Sequence, residues 1–315
     1  MGWPTRKLEL DEKQAAAACG QIRLCAEWAS AFQSEHSNLQ PAQILLTLDD
    51  SENRRRYLNA RHTFERLLAQ SNVIPIVNEN DTVATDEIRV GDNDRLAARV
   101  AQMISADLLL LLSDVHGLYQ TDPRTSQAQT TLIPEVAQIT PEIEAMAGGV
   151  GSEIGTGGMR TKIEAAKIAG AAGCHMLIAF GMESHPIQSL LDGADCTWFK
   201  ANATPSGARK HWISGKLRSL GTYVVDDGAA HALSKGKSLL PAGVVEVRGD
   251  FGRGDAVTIE TSGGRLIGKG LSEYSSEQAI RIIGAHSDEI ERVLGFKYRD
   301  TLIHRDDMVA TLLSE

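Results

Sequence analysis

Apolar positions recur along this chain in two rhythms, and the change between them falls near residue 210. Over residues 11–33, Ile22, Cys25, Ala29 and Phe32 return at helical spacing, which predicts an amphipathic helix. The short apolar run QILLTL (43–48) predicts a buried strand, and Tyr57, Leu58, Phe64, Leu67 and Leu68 then mark a helix with Arg and Glu on its other face. The alternation repeats with VIPIVN (73–78), a helix marked by Leu96, Val100, Met103 and Ile104, the strand DLLLLLSD (107–114), and CHMLIAFG (174–181). Continuous apolar strands separated by helices predict an α/β fold with a mainly parallel sheet sandwiched by helices. Later, VVEVRG (244–249) and AVTIET (256–261) alternate apolar with polar, and RLIGKG (265–270) follows closely. Short alternating strands at this spacing predict a small, mostly antiparallel β-barrel. TPSGARKHWISGK (204–216), polar and holding Pro, Gly and Ser, reads as the connection. The expected organisation is an α/β domain over 1–207, a linker over 208–217 and a β-rich domain over 218–315.

Composition narrows the class without changing that picture. At 315 residues and 42% hydrophobic, the chain can bury a sizeable core in two domains. A net charge of −9 argues against a surface that coats nucleic acid. Cys19, Cys25, Cys174 and Cys196 show neither a CxxC pair nor metal-ligand spacing, so reduced thiols are expected. No run of 18 apolar residues occurs, and the opening MGWPTRKLELDEKQ lacks a secretory apolar core; a cytoplasmic protein is expected.

Candidate chemistry falls just beyond the strands, where open α/β sheets bind ligands. In GTGGMRTKIEAAKIAGAAG (155–173), glycines crowd the start of a helical pattern and Lys162 follows. Bare backbone amides at a helix N-terminus, with a mobile cation beside them, suit a phosphate. A plain surface turn would also use such glycines. The stretch is neither a Walker A loop nor a GxGxxG fingerprint, since Arg160 stands at the last fingerprint position. The stretch NENDTVATDEIRVGDND (78–94) sets Glu79, Asp81, Asp86, Glu87, Asp92 and Asp94 against one cation, Arg89. Three readings stay open there: a solvated acidic loop with Asp92 capping the next helix, a Mg²⁺ site, or a pocket for a small zwitterion. Asn78, Asn80 and Asn93 favour the zwitterion, because amide N–H groups can meet a carboxylate while carboxylates meet an ammonium. Ser113 and Asp114 stand just off an apolar strand in LLLLLSDVHGLYQTDPR (108–124), where a carboxylate can orient a lysine. His116 reads as a loop residue.

These three stretches, in this order, resemble the glutamate 5-kinase family; the middle and last belong more broadly to the amino acid kinase fold. SLLPAGVVEVRGDFGRGDAVTIET with HRDDM (304–308) is similar to that family's appended PUA domain. The resemblance implies ATP-dependent phosphorylation of the side-chain carboxylate of L-glutamate, the first step of proline synthesis. It implies that Asp81 and Asn93 hold glutamate, with Asn78 also at that site and the segment from Asp92 to Asp94 shaping its pocket. Ser113, Asp114 and the run Thr156, Gly157, Gly158, Met159, Arg160, Thr161 and Lys162 would hold ATP. Lys162 and Asp114 would be the catalytic pair, Lys162 steadying the transferred phosphoryl group, and Mg²⁺ would bridge nucleotide phosphates without a protein-only metal site. Homo-oligomers and inhibition by proline are further implications; membrane and nucleic-acid partners are not expected.

The resemblance also implies an earlier strand ending in a lysine and a Gly/Ser/Thr loop, and then a Ser-Gly loop, neither of which this sequence contains. They would lie ahead of residue 1, in a unit of roughly 30 or more residues. The expectation is therefore either a start assigned too far downstream or a catalytically defective fragment. A regulatory or RNA-binding role through the β-rich domain is the alternative, with Arg248, Arg253, Arg265 and Lys269 as its cations.

Overall fold

The computed structural model describes residues 9–35, 38–83, 92–121, 123, 130–148 and 157–310. The chain divides into two compact units, Met1–Pro205 and Ser206–Glu315.

The first unit runs α1 (Leu10–Glu35), β1 (Gln40–Leu46), α2 (Leu48–Glu52), α3 (Arg54–Leu68), β2 (Val73–Glu79), α4 (Asp92–Ile104) and β3 (Leu108–Ser113). It continues with β4 (Glu135–Val136), α5 (Pro141–Met146), α6 (Gly157–Ala171), β5 (His175–Phe180), α7 (Pro186–Leu191) and β6 (Cys196–Phe199). Strands β1 and β2 pair in parallel, Gln40 opposite Val73 and Leu46 opposite Glu79. A four-stranded sheet has the order β3-β5-β6-β4. In it β3 and β5 are parallel, β5 and β6 antiparallel, and β4 and β6 parallel.

Local chemistry starts and stops these elements. Asn53 caps α3 by accepting the Arg56 N–H at 3.2 Å, and the helix buries Leu58 and Phe64. At the start of α2, the Thr47 N–H donates to Asp50 Oδ2 at 2.7 Å. Helices α4 and α6 meet through small side chains, Ala98 and Ala101 on one and Ala165, Ala166 and Ala169 on the other, all buried in one core cluster. Alanine at those positions lets the two helix backbones come close. The core beneath them is Leu111 of β3 with Met176 and Ile178 of β5.

The second unit contains α8 (Pro205–Lys216) from Ser206 onward, β7 (Gly221–Val225), α9 (Asp227–Ser234), β8 (Val244–Gly249), β9 (Ala256–Thr261) and β10 (Leu266–Leu271). Helices α10 (Ser276–Ile282) and α11 (Ile290–Leu294) and the short strand β11 (Met308–Ala310) complete it. Its sheet order is β11-β10-β9-β7-β8, mainly antiparallel with β7 and β9 parallel. Among the described residues this is an open sheet and not the expected closed barrel. Closure would pair β8 with β11, but β11 is three residues long, pairs with β10, and α10 packs against β8. The stretch read as a linker is helical over Pro205–Lys216, with Ile213 and Leu217 clustered with Ala256 and Leu271.

Candidate functional site

The parallel pair β3 and β5 is joined through α6, so α6 runs back along the sheet and its N-terminus stands at the carboxyl ends of both strands. The first turn of α6 holds Gly157, Gly158, Met159 and Arg160, whose N–H groups have no intrahelical acceptor. A Cβ built on Gly158 would meet nothing within 4 Å, so there is open space at that position. One turn further in, Lys162 Nζ lies 3.0 Å from Asp94 Oδ2, with the two side chains 13% and 17% exposed. Thr161 Oγ1 lies 2.8 Å from the same carboxylate oxygen and 2.9 Å from the Gly158 carbonyl. Flanking this core, Glu164 lies 3.7 Å from Arg95 and 3.5 Å from Arg160. The close approach of α4 and α6 therefore brings a lysine and a hydroxyl onto one carboxylate, beside the N-terminal amides of α6.

Ser113 ends β3, buried, opposite Phe180 at the end of β5. Its hydroxyl donates to Asp114 Oδ1 at 3.1 Å. Beyond Asp114 the chain turns tightly against β6. The Leu118 N–H donates to Thr197 Oγ1 at 2.8 Å, and that hydroxyl donates to the Ile133 carbonyl at 2.6 Å. Gly117 makes this possible: a Cβ there would stand 2.9 Å from Thr197 Cβ and 3.0 Å from Leu132 Cδ1. His116 stacks on Phe180 with ring centroids 4.8 Å apart. The two rings line a cavity of about 380 Å³ together with Glu183, Asp192 and Asp195, and no sequence signal marked it.

Around β2, Asn78 Nδ2 donates to Gln21 Oε1 of α1 at 2.7 Å. The Asn80 N–H donates to the Leu46 carbonyl at 2.8 Å, tying the turn after β2 to the end of β1. Asp81 follows in that turn, half-buried. Partial burial lifts its carboxyl above the ordinary carboxylate range, with its own backbone N–H acting the other way. Asn93 is exposed in the first turn of α4. Thr156, residues 84–91 and the side chain of Asp92 lie outside the described residues, and so do the candidates among them. The sequence pointed to Asp94 only as part of the Asp92–Asp94 segment expected to shape the glutamate pocket, and to Gln21 not at all. Asp94 belonged to the acidic stretch, yet its lysine partner stands 68 residues away. Gln21 showed no signal beyond its place on a predicted helix.

Residues 4–179 match the amino acid kinase family, and residues 221–294 match the PUA domain. A curated protein of Paramagnetospirillum magneticum named glutamate 5-kinase is 57% identical over 302 residues, covering 96% of this chain and 80% of that one. The chain belongs to the glutamate 5-kinase family. A second member, glutamate 5-kinase of Agrobacterium fabrum, is 55% identical over 311 residues, 99% of this chain and 79% of its own length. Among solved structures, a PUA domain from Aeropyrum pernix is 29% identical over 30% of this chain and 44% of that one, with a TM-score of 0.23.

Within this glutamate 5-kinase family member, three of the four cations named for the alternative role, Arg248, Arg253 and Lys269, have partners in the second unit. Arg248 donates to Glu246 at 2.9 and 2.7 Å, Arg253 lies 3.7 Å from Glu273 with its guanidinium 4.0 Å from the Tyr298 ring centroid, and Lys269 Nζ donates to the Leu217 carbonyl. No group of three or more metal-capable side chains occurs among the described residues. Nor is any described helix long and apolar enough to cross a membrane.

Proposed function

We propose that this chain transfers the terminal phosphoryl group of ATP to the side-chain carboxylate of L-glutamate, giving L-glutamyl 5-phosphate and ADP, the first step of proline synthesis. The observation that carries the reading is the Lys162–Asp94 pair, 3.0 Å apart and largely shielded from water, at the open amide end of α6. A glutamate side chain has a pKa of about 4.3, so the nucleophile is already ionised at neutral pH and needs no general base. One of its oxygens bonds to the terminal phosphorus as the bond to the bridging oxygen of ADP breaks. The protein's task is to bring two anions together and to stabilise charge on the phosphoryl oxygens.

Ser113, Asp114 and the segment from Thr156 to Lys162 suit ATP. The α6 amides fit phosphate oxygens by geometry and dipole, and Gly158 leaves room for them. Mg²⁺ carried by the nucleotide would supply charge neutralisation on its phosphates. Asp94 holds the Lys162 ammonium, and the Thr161 hydroxyl shares that carboxylate, so the cation is fixed before phosphate arrives. At the other side, Asp81 suits the ammonium of glutamate, while Asn78 and Asn93 offer amides to its α-carboxylate.

Acceptor selectivity tests this reading. ADP release is expected with L-glutamate and at least tenfold less with N-acetyl-L-glutamate, which has no ammonium for Asp81, or with the shorter L-aspartate. Release that is faster with either of those acceptors would overturn it.

A further inference from the structure

Asn78 presents a symmetrical-looking but chemically two-sided group: its amide offers N–H on one side and an oxygen on the other. Rotation by half a turn would exchange them and reverse what the substrate meets. Its backbone is fixed in β2 opposite Leu45 of β1, so only the side chain is free to turn. Gln21 Oε1, 2.7 Å from Asn78 Nδ2, is an acceptor and nothing else. It selects the orientation in which the Asn78 NH₂ faces α1. The Gln21 NH₂ is itself directed to Cys25 Sγ, 3.5 Å away and one turn along the same helix, which keeps the Gln21 oxygen toward Asn78.

We infer that Gln21 is a positioning residue for the amino acid substrate: it sets the Asn78 amide so that Oδ1 and the second N–H are presented together to a zwitterion. The inference rests on the proposed glutamate site. It gives α1 a role in substrate binding that its sequence did not signal, since the contact joins residues 57 positions apart.

Calorimetric binding of L-glutamate to the full chain without ATP, beside binding of ATP alone, provides the test. Three variants separate shape from hydrogen bonding. Gln21→Met keeps length and removes the acceptor, Gln21→Ala removes both, and Gln21→Glu keeps an acceptor oxygen. The Met and Ala variants are expected to weaken glutamate binding about fivefold, the scale of one lost neutral hydrogen bond. Their ATP affinity should be unchanged, and Gln21→Glu should recover more glutamate affinity than Gln21→Met. In ¹⁵N spectra, the Asn78 side-chain amide pair should lose its dispersion in the Met variant and keep it in the Glu variant. Wild-type glutamate affinity in Gln21→Met, or equal loss of both ligands, would overturn the inference alone. A wild-type chain that binds ATP but not glutamate would overturn the acceptor assignment and this inference together.

Discussion

At the scale of single residues, the site turns on which charge holds which. Lys162 was legible in the sequence because glycines and a helical pattern surround it. Asp94 was legible only as one carboxylate among many, since side-chain pairing across 68 residues leaves no local trace. Replacing Asp94 by Asn keeps the shape and an acceptor for Thr161 but removes the charge that fixes the lysine. Turnover should fall about 10²-fold, the scale of one misplaced transition-state contact, with some loss of thermal stability because the shielded lysine loses its counter-charge. Initial rates at saturating ATP and glutamate measure it. Asp81 gives a second expectation, through pH. Its carboxyl is raised by burial, so its charge is lost at a higher pH than an ordinary aspartate's. The KM for glutamate should therefore climb as pH falls through that raised value, while the KM for ATP stays level. The same shift means that ionising Asp81 costs the folded state some stability once pH exceeds the unfolded carboxyl's pKa. Asp81→Asn should accordingly raise the unfolding midpoint at pH 7 and leave it unchanged at pH 3.

At the scale of elements, the turn after β3 depends on backbone approaching side chain. Gly117 leaves Thr197 free to bond the Leu118 N–H and the Ile133 carbonyl at once. Gly117→Ala should push β6 from this turn, destabilise the chain by about 1–3 kcal/mol and weaken ATP binding, read by urea unfolding and calorimetry. Elements with a strong apolar signature, the helical period of α4 and the continuous runs of β3 and β5, could be read directly from the sequence. Those sustained by neighbours could not. β4 is a two-residue strand that exists through pairing with Trp198 and Phe199, and CTWF of β6 is too short to show a period. Helix α8 contains Gly207 and Gly215 and begins with Pro205, a composition that suggests a linker. Packing of Ile213 and Leu217 and the Arg209–Asp307 ion pair hold it as a helix. The site was legible in its residue types and hidden in its pairings.

At the scale of the whole molecule, two units with separate cores divide the chain. In the second, Asp307 is 1% exposed and accepts from Arg209 Nε at 3.0 Å. Removing one partner of such a buried pair strands the other charge, so Asp307→Ala should destabilise this unit by about 3–5 kcal/mol in denaturant unfolding. The first unit carries the proposed chemistry, and its central claim is that Lys162 serves phosphoryl transfer to a carboxylate. Hydroxylamine trapping of the acyl phosphate formed from ATP and L-glutamate tests that claim most directly, with the Lys162→Ala chain run beside the unaltered one. The account predicts glutamyl hydroxamate from the unaltered chain and a loss of at least 10²-fold in the variant. Equal hydroxamate from both chains, or ATP hydrolysis with none trapped, would contradict it.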